Sequence, residues 1–140
     1  MNDAIVGIIM NHSRDKVLLL KRQSDKIYPN MWAPVGAGPY SKDEDFVSKA
    51  KEEVRIETGL KATLLLTAPS MQIDIAGKTY NVHPFLFETS ENENVRLNEE
   101  HSEWRWVLLS NLQNPEYDPR LQMIIKLVDL TSRLSVYPKT

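Results

Sequence analysis

The stretch of residues 38–60 constrains the fold of this chain more than any other segment. The stretch begins at the second glycine of Gly36-Ala37-Gly38, where a loop can turn tightly or let a ligand approach closely. Residues 45–57 then predict a helix, and Gly59 suits the left-handed cap that ends one. Apolar residues recur along this helix on one stripe: Phe46, Val47, Ala50 and Val54. We therefore expect a loop, a helix seated on a core, and a second loop.

Two acids on this helix, Glu53 and Glu57, stand four residues apart and so project from the same side. Like charges at that spacing destabilise an isolated helix by about 0.2–0.5 kcal/mol. A divalent cation would offset the repulsion, because hard cations prefer oxygen ligands. The spacing therefore makes this side of the helix a candidate metal site.

The composition restricts the class of protein. The 140 residues suit one domain, and we expect residues 1–140 to form it. The formal net charge is -2 with interspersed signs, which argues against nucleic-acid binding. The chain has no cysteine, which excludes disulfides, thiolate metal sites and a cysteine nucleophile. Neither a secretion signal nor a membrane-spanning run is indicated, and we expect a cytoplasmic protein.

Strands are predicted on both sides of the acidic helix. Short runs rich in apolar and β-branched residues, separated by turn-forming residues, indicate them. The predicted strands are residues 4–10, 17–22, 62–66, 71–75, 80–88 and 104–109. Ala76 and Gly77 form a plausible two-residue turn, and Pro84 argues that its strand lies at an edge or contains a bulge.

A second helix is predicted near the C-terminus, with Asp118 as its N-cap and Pro119 at its first position. Its expected core face consists of Leu121, Ile124, Ile125 and Val128. A further apolar stripe consists of Met123, Leu127, Leu130 and Leu134. That surplus indicates either deeper burial or a homodimer interface. The order of elements predicts an α+β domain or an α/β/α sandwich.

The first helix and its flanks resemble the signature of the Nudix hydrolases, the MutT-like family. That signature is a glycine, five residues, a glutamate, seven residues, and then Arg-Glu-apolar-any-Glu-Glu-any-Gly-apolar. The matching residues are Gly38, Glu44, Glu53, Val54, Glu57, Gly59 and Leu60. Two positions depart, because Glu52 stands where the family has Arg and Ile56 where it has a glutamate. The box is therefore degenerate, although its spacing is intact.

The resemblance implies both a fold and a reaction. The fold is the Nudix-type α/β/α sandwich of the α+β class, with a central mixed sheet, a catalytic loop-helix-loop and a C-terminal helix. The reaction is attack by water on a phosphorus atom of a nucleoside diphosphate linked to another group, with Mg²⁺ or Mn²⁺ as cofactor. The expected partner is therefore a small-molecule nucleotide.

The resemblance also implies roles for residues of the helix. Glu53 and Glu57 are expected to act in catalysis as metal ligands, and the carbonyl oxygen of Gly36 or Ala37 as a third ligand. Glu52 is a candidate substitute ligand, because it brings a carboxylate to the place of the family's Arg. The alternative for Glu52 is repulsion of the metal-binding acids, or an ion pair with a nearby lysine or arginine.

Residues outside the helix complete the expected site. Glu100 lies in an acidic loop where family members often place a further metal ligand or base, so we expect it to act in catalysis. Arg22 and the backbone at Gly38 are expected to contact the substrate, although a basic residue at a strand end is also ordinary. His83 and His101 are interpreted as structural or surface residues.

Two hypotheses follow from the degenerate box. In the first, the chain is a working pyrophosphohydrolase with a reduced set of metal ligands. In the second, it is a Nudix-fold module that binds a nucleotide or a protein with little turnover, because Glu52 and Ile56 replace the family's Arg and Glu. Loss of residues that orient metal ligands commonly costs about 10–100-fold in affinity or activity. The retained acids favour the enzyme.

Overall fold

The computed structural model describes residues 2–118 and 120–134, the last five of these without their side chains. The strands are β1 (Asn2–Met10), β2 (Lys16–Arg22), β3 (Trp32–Ala33), β4 (Val35–Tyr40), β5 (Thr63–Thr67), β6 (Met71–Ile75), β7 (Lys78–Glu88) and β8 (His101–Leu108). The helices are α1 (Phe46–Thr58) and α2 (Leu121–Leu134), and a 3₁₀ turn covers Leu109–Asn111. Neither helix is long and apolar enough, over these residues, to cross a membrane.

A mixed sheet forms the centre of the molecule. In the middle of the sheet, β1 and β7 are parallel, and nine consecutive positions of β1 pair with β7. The remaining pairs are antiparallel: β1 with β4 and β2, β2 with β3 and β8, and β7 with β5 and β6. The sheet therefore has the mixed character that the family resemblance implies.

Apolar side chains on the two faces of the sheet form two separate cores. Successive residues of a strand point to opposite faces, and neighbours such as Ile8 and Ile9 accordingly belong to different cores. The first core includes Leu121, Ile124 and Val128 of α2. The second includes Ala50 and Val54 of α1. One helix thus covers each face, which confirms the α/β/α sandwich.

Helix α1 begins and ends one residue later than predicted. Asp45 is its N-cap and accepts a hydrogen bond from the Ser48 backbone N–H at 3.2 Å. Gly59 ends it with a φ of 71°, in the left-handed region. Gly7 lets the helix approach β1 closely, because a Cβ at that position would lie 3.1 Å from Cγ2 of Val54. Of the predicted stripe, Val47 is 36% exposed and does not join the core.

The predicted loop at residues 36–38 is wrong, since these residues belong to strand β4. Gly36 is matched with Val6 and Ala37 with Ile5 across the antiparallel pair with β1. The glycines hide the strand, because they lack the apolar and β-branched pattern that indicates one. Pairing with a distant segment, rather than local preference, therefore forms this strand.

The predicted edge position for Pro84 is also wrong, since β7 lies inside the sheet. On one side, β7 pairs with β6 up to Val82 and with β5 from Phe85 onward. Pro84 falls in the interval between these two ladders, where its carbonyl accepts a hydrogen bond from the Ala68 N–H at 2.9 Å. Proline has no N–H to donate, and the sheet tolerates it at this interruption of the pairing.

Helix α2 begins at Leu121, later than predicted, and Pro119 lies outside the described residues. The predicted cap Asp118 stands before the helix and accepts a hydrogen bond from the Arg120 backbone N–H at 3.0 Å. In the second apolar stripe, Met123 is 46% exposed and Leu127 is half-buried. The other two members, at positions 130 and 134, have no described side chains. The homodimer therefore stays a prediction, as does the assignment of residues 1–140 to one domain.

Candidate active site

A cavity of about 540 Å³ takes lining residues from α1, β4, β6 and α2. Glu53 and Glu100 supply acids to its wall, and Arg22, Lys26 and Arg120 supply basic groups. The remaining lining is largely apolar and includes Ile73, Ile75, Val82, Leu121 and Ile124. A concave site with an apolar wall and a few charged groups suits a ligand that carries both an apolar ring and anionic groups.

Glu57 lies behind this cavity and is only 1% exposed. Within the described part of the chain, neither of its carboxylate oxygens has a hydrogen-bond partner. Burial, followed by the contact with Glu53 and the charges of Glu53 and Glu100, raises the pKa of Glu57 to about 9, and the nearby Gly36 N–H opposes this. A buried carboxylate without partners is costly. It must take up a proton or receive a cation.

His101 lies beside Glu57, with its Nε2 atom 3.7 Å from the Glu57 Oε1 atom. Its side chain is 2% exposed, and its Nδ1 atom lies 3.2 Å from the Oδ1 atom of Asn98. Burial, followed by the charges of Arg22 and Lys26, lowers the pKa of His101 to about 4. The sequence interpretation of His101 as structural or surface-exposed missed its place beside the acids. Its position next to Glu100 was the available signal.

Glu57, Glu100 and His101 form one group, since each offers a ligand atom within 4.8 Å of the others. The loop before β8 brings the last two residues to the end of α1. The Arg96 N–H donates to the Thr58 carbonyl oxygen at 2.7 Å, which fixes this loop against the helix. The Gln23 N–H donates to the Glu100 carbonyl oxygen at 3.0 Å. These backbone hydrogen bonds position the group without using its side chains.

The two positions at which the box departs from the family signature do not face the cavity. Glu52 is exposed and Ile56 is 46% exposed, and neither lines the cavity. Lys49, a possible partner for Glu52, instead forms an ion pair with Glu44 at 3.6 Å. Glu44 also accepts a hydrogen bond from the Ser41 N–H at 2.9 Å, so its carboxylate organises the approach to α1.

The other predicted site residues border the cavity. Arg22 lines it and also donates from Nε to the Ile27 carbonyl oxygen at 2.7 Å, which closes the loop after β2. Gly36 lines the cavity as well. Its N–H and carbonyl groups point toward the same edge of β4. Gly38 has a φ of 147°, and a Cβ there would lie 2.9 Å from the Cβ of Ala4. Only glycine fits this position without strain.

Some aromatic side chains line the cavity, and others pack in the core. Trp32 and Phe85 are each 3% exposed and pack in the interior. Tyr28 and Tyr40 line the cavity. The Arg120 guanidinium lies over the Tyr28 ring, 4.5 Å from its centroid, a pair that the sequence did not reveal. Residues that stack across a cavity wall are distant in sequence and leave no periodic signal.

The electrostatic field at the acidic end of the cavity is negative. Burial, followed by the charges of Glu53 and Glu52, raises the pKa of Tyr40 to about 12. The available donors are carboxylates, backbone carbonyls and one imidazole, which are ligands of divalent cations. Together with the unpartnered oxygens of Glu57, this donor set fits a divalent cation, and Glu57 and Glu53 are the residues of α1 that would hold it.

Comparisons with known proteins agree on one family. A family model described as the NUDIX domain matches residues 1–128. An Ap4A hydrolase from C. elegans is 20% identical, with a TM-score of 0.73, and the match covers 95% of this chain and 99% of that one. A MutT protein from Methanosarcina mazei Go1 is 22% identical, with a TM-score of 0.73 and coverage of 93% and 94%.

The NUDIX domain of Shewanella oneidensis NrtR, solved with ADP ribose, is 15% identical, with a TM-score of 0.72 and coverage of 96% and 89%. No curated protein sequence matches the chain. At these identities the solved structures establish a shared fold, while the family model places nearly the whole chain in one family.

Proposed function

The chain belongs to the NUDIX family, and we propose that it is a metal-dependent pyrophosphohydrolase that uses Mg²⁺ or Mn²⁺. Its substrate would be a nucleoside diphosphate linked to another group, cleaved by attack of water on phosphorus. One observation supports this most strongly: both oxygens of the buried Glu57 lack hydrogen-bond partners among the described residues, beside a cavity that Glu53 and Glu100 line. A bound cation would compensate such a carboxylate.

The acidic residues at the cavity have different roles in the proposed reaction. Glu57 and Glu53 hold the cation, with the Gly36 carbonyl as a further oxygen donor. When bound, the cation neutralises phosphate charge and lowers the pKa of water. Glu100 stands close enough to this group to accept the proton of the attacking water. Glu52, which the resemblance offered as a substitute ligand, has an exposed position that gives this role no support.

The basic side of the cavity would receive the phosphates. Arg22 and Lys26 both line it, and both are close enough to His101 for their charges to lower its pKa. The backbone of Gly38 also lines the cavity and would contact the substrate, while its missing side chain leaves room for Ala4 of β1. Tyr28 and Tyr40 offer aromatic surfaces for a base. The arrangement therefore suits an anionic, ring-bearing substrate such as a nucleotide.

A substrate can be proposed only as a set. The related folds include an Ap4A hydrolase and a domain solved with ADP ribose, so dinucleoside polyphosphates and ADP-ribose belong in the set. Nucleoside triphosphates and nucleotide sugars complete it. We also propose that the protein acts on such a substrate as a soluble enzyme of the cytoplasm.

The alternative is a nucleotide- or protein-binding module with little turnover. The exposed Ile56, where the family has a glutamate, is the observation that favours it. The test is product release across the proposed substrates, with Mg²⁺ and with Mn²⁺, for the wild type and Glu57→Gln. Turnover by the wild type that Glu57→Gln loses supports the enzyme. Equal inactivity of both proteins on every substrate contradicts it, and nucleotide binding without turnover then supports the module.

A further inference from the structure

We infer that His101, at the start of β8, is a nitrogen ligand of the divalent cation and adds a donor to those of α1. This inference rests on the proposed metal-dependent function and extends it to the identity of one ligand. The resulting site is mixed, with the carboxylate oxygens assigned above to Glu57 and Glu53 and an imidazole nitrogen. Such a site should select among divalent metals differently from a site made only of oxygen.

The hydrogen bonds of Asn98 decide which nitrogen of His101 is free. The Glu100 backbone N–H donates to the Asn98 side chain at 3.3 Å, so the atom that receives it is the carbonyl oxygen Oδ1. The same oxygen lies 3.2 Å from His101 Nδ1. An oxygen can only accept here, and Nδ1 therefore carries a proton. The other nitrogen, Nε2, is left to bind a cation, and it is the nitrogen that faces Glu57.

The distance from His101 to Glu57 matches a shared cation better than a direct hydrogen bond. Hydrogen bonds between nitrogen and oxygen span about 2.7–3.2 Å, and the observed separation of Nε2 from Oε1 is 3.7 Å. Nitrogen and oxygen ligands lie about 2.0–2.2 Å from a cation such as Zn²⁺, so two of them on one ion are separated by about 3–4.3 Å. A cation between these atoms would also satisfy the unpartnered carboxylate.

The surroundings of His101 resemble those of metal-binding histidines in other respects. Such histidines commonly donate their second ring N–H to an oxygen that fixes the tautomer and the ring orientation. Asn98 has this relation to His101, which makes Asn98 a positioning residue. The ring is also almost fully buried, so solvent does not compete for Nε2. The surface residue His12 also has an oxygen partner at Nδ1, but its side chain is 66% exposed, so it lacks the burial.

A nitrogen ligand has a consequence for metal choice. Mg²⁺ prefers oxygen ligands and gains little from an imidazole. Later first-row metals such as Co²⁺ bind imidazole well. Replacing His101 should therefore weaken Co²⁺ binding by at least about tenfold, the scale on which the surroundings of a metal site act, while Mg²⁺ binding changes much less.

The test is electron spin echo spectroscopy of Mn²⁺ bound to the full chain, which detects a directly bound ¹⁴N nucleus without requiring turnover. The variants are His101→Gln, Glu57→Gln and the control His12→Gln, whose side chain is 66% exposed. We expect ¹⁴N modulation in the wild type and in the control, and its loss in His101→Gln. Calorimetric titration with Co²⁺ and Mg²⁺ measures the change in preference on the same proteins.

Bound Mn²⁺ without ¹⁴N modulation, or modulation that persists in His101→Gln, overturns the inference and leaves the proposed function standing if Glu57→Gln abolishes binding. A wild type that binds no Mn²⁺ overturns the inference and the proposed metal dependence together. If His101→Gln fails to fold, the wild type still tests the inference, because bound Mn²⁺ without ¹⁴N modulation overturns it.

Discussion

The imidazole of His101 and the carboxylate of Glu57 face each other at 3.7 Å inside the protein, and each side chain is no more than 2% exposed. Burial raises the pKa of Glu57 to about 9 and lowers the pKa of His101 to about 4, so both groups are neutral at pH 7. Two ionisable groups held neutral at contact distance are expensive to keep in a fold without a ligand. Predictions about this pair therefore concern stability, metal binding and activity together.

The first prediction concerns pH and stability without metal. The pKa of Glu57 in the folded protein, about 9, lies above its ordinary value of 4.5. Its contribution to stability is therefore complete below pH 4.5 and is lost as pH rises toward 9. The depressed pKa of His101, about 4 against 6.5, acts oppositely, but only below about pH 6.5. Between pH 6.5 and 9 the free energy of unfolding should therefore fall, by at most about 1.4 kcal/mol per pH unit.

Denaturant titration of metal-free protein at several pH values in this window measures that slope. The variant Glu57→Gln carries no titrating group at the position and should show a nearly flat profile. A wild-type profile as flat as that of the variant would contradict the raised pKa of Glu57.

The second prediction concerns protons released on metal binding. Because the buried Glu57 is protonated below its pKa of about 9, a cation must displace that proton. We expect release of about one proton per bound Mn²⁺ near pH 7.5. Calorimetry in buffers of different ionisation enthalpy measures this number. An enthalpy that does not depend on the buffer would show that Glu57 is already ionised.

The third prediction separates the acids of α1 by their position. Glu53 lines the cavity and Glu52 is exposed outside it. We expect Glu53→Gln to lower kcat/KM by about 10²-fold or more, the range of lost groups that act on the reacting atoms. Glu52→Gln is the matched control on the neighbouring residue, and its kcat/KM should stay within about threefold of the wild type. Similar losses in both variants would instead assign Glu52 to the site.

The fourth prediction concerns the glycine that opens the box. Gly38→Ala places a methyl group within 3.0 Å of the Asp3 carbonyl oxygen and of Ala4, at a φ of 147°. Backbone strain of this kind costs about 1–3 kcal/mol, and the close contacts add to it. Gly77→Ala is the control, because Gly77 has a φ of 82° but nothing within 4 Å of the added atom.

Urea denaturation compares the two glycine variants. We expect Gly38→Ala to lose clearly more unfolding free energy than Gly77→Ala, because only the former adds steric contacts. Equal losses would mean that the contacts with β1 relax without cost.

Sequence reasoning recovered α1 because its signals are local. Asp45 caps the helix and Gly59 ends it, and each acts on residues within one turn. The strand at residues 35–40 escaped, because its glycines carry no strand preference and its partner β1 lies some thirty positions earlier in the chain. Local patterns predict elements well where local interactions form them.

The site was only partly predictable for the same reason. Glu53, Glu57 and Glu100 were identified from a family pattern, and the structure places all three at or beside the cavity. His101 carried no pattern of its own, since its importance arises from burial against α1 and from the contact with Asn98. Such properties appear only when distant segments pack together.

The alternation of adjacent residues such as Ile8 with Ile9, and Leu18 with Leu19, between the two cores makes strand register a condition for chemistry. A slip of β1 by one residue would exchange the sides that each apolar residue faces. Helix α1 would then lose its close packing against Gly7, and its acidic residues would no longer lie next to Glu100 and His101. A misregistered chain could remain compact, yet it would have no place to bind a cation, so metal binding is a direct report of correct strand pairing.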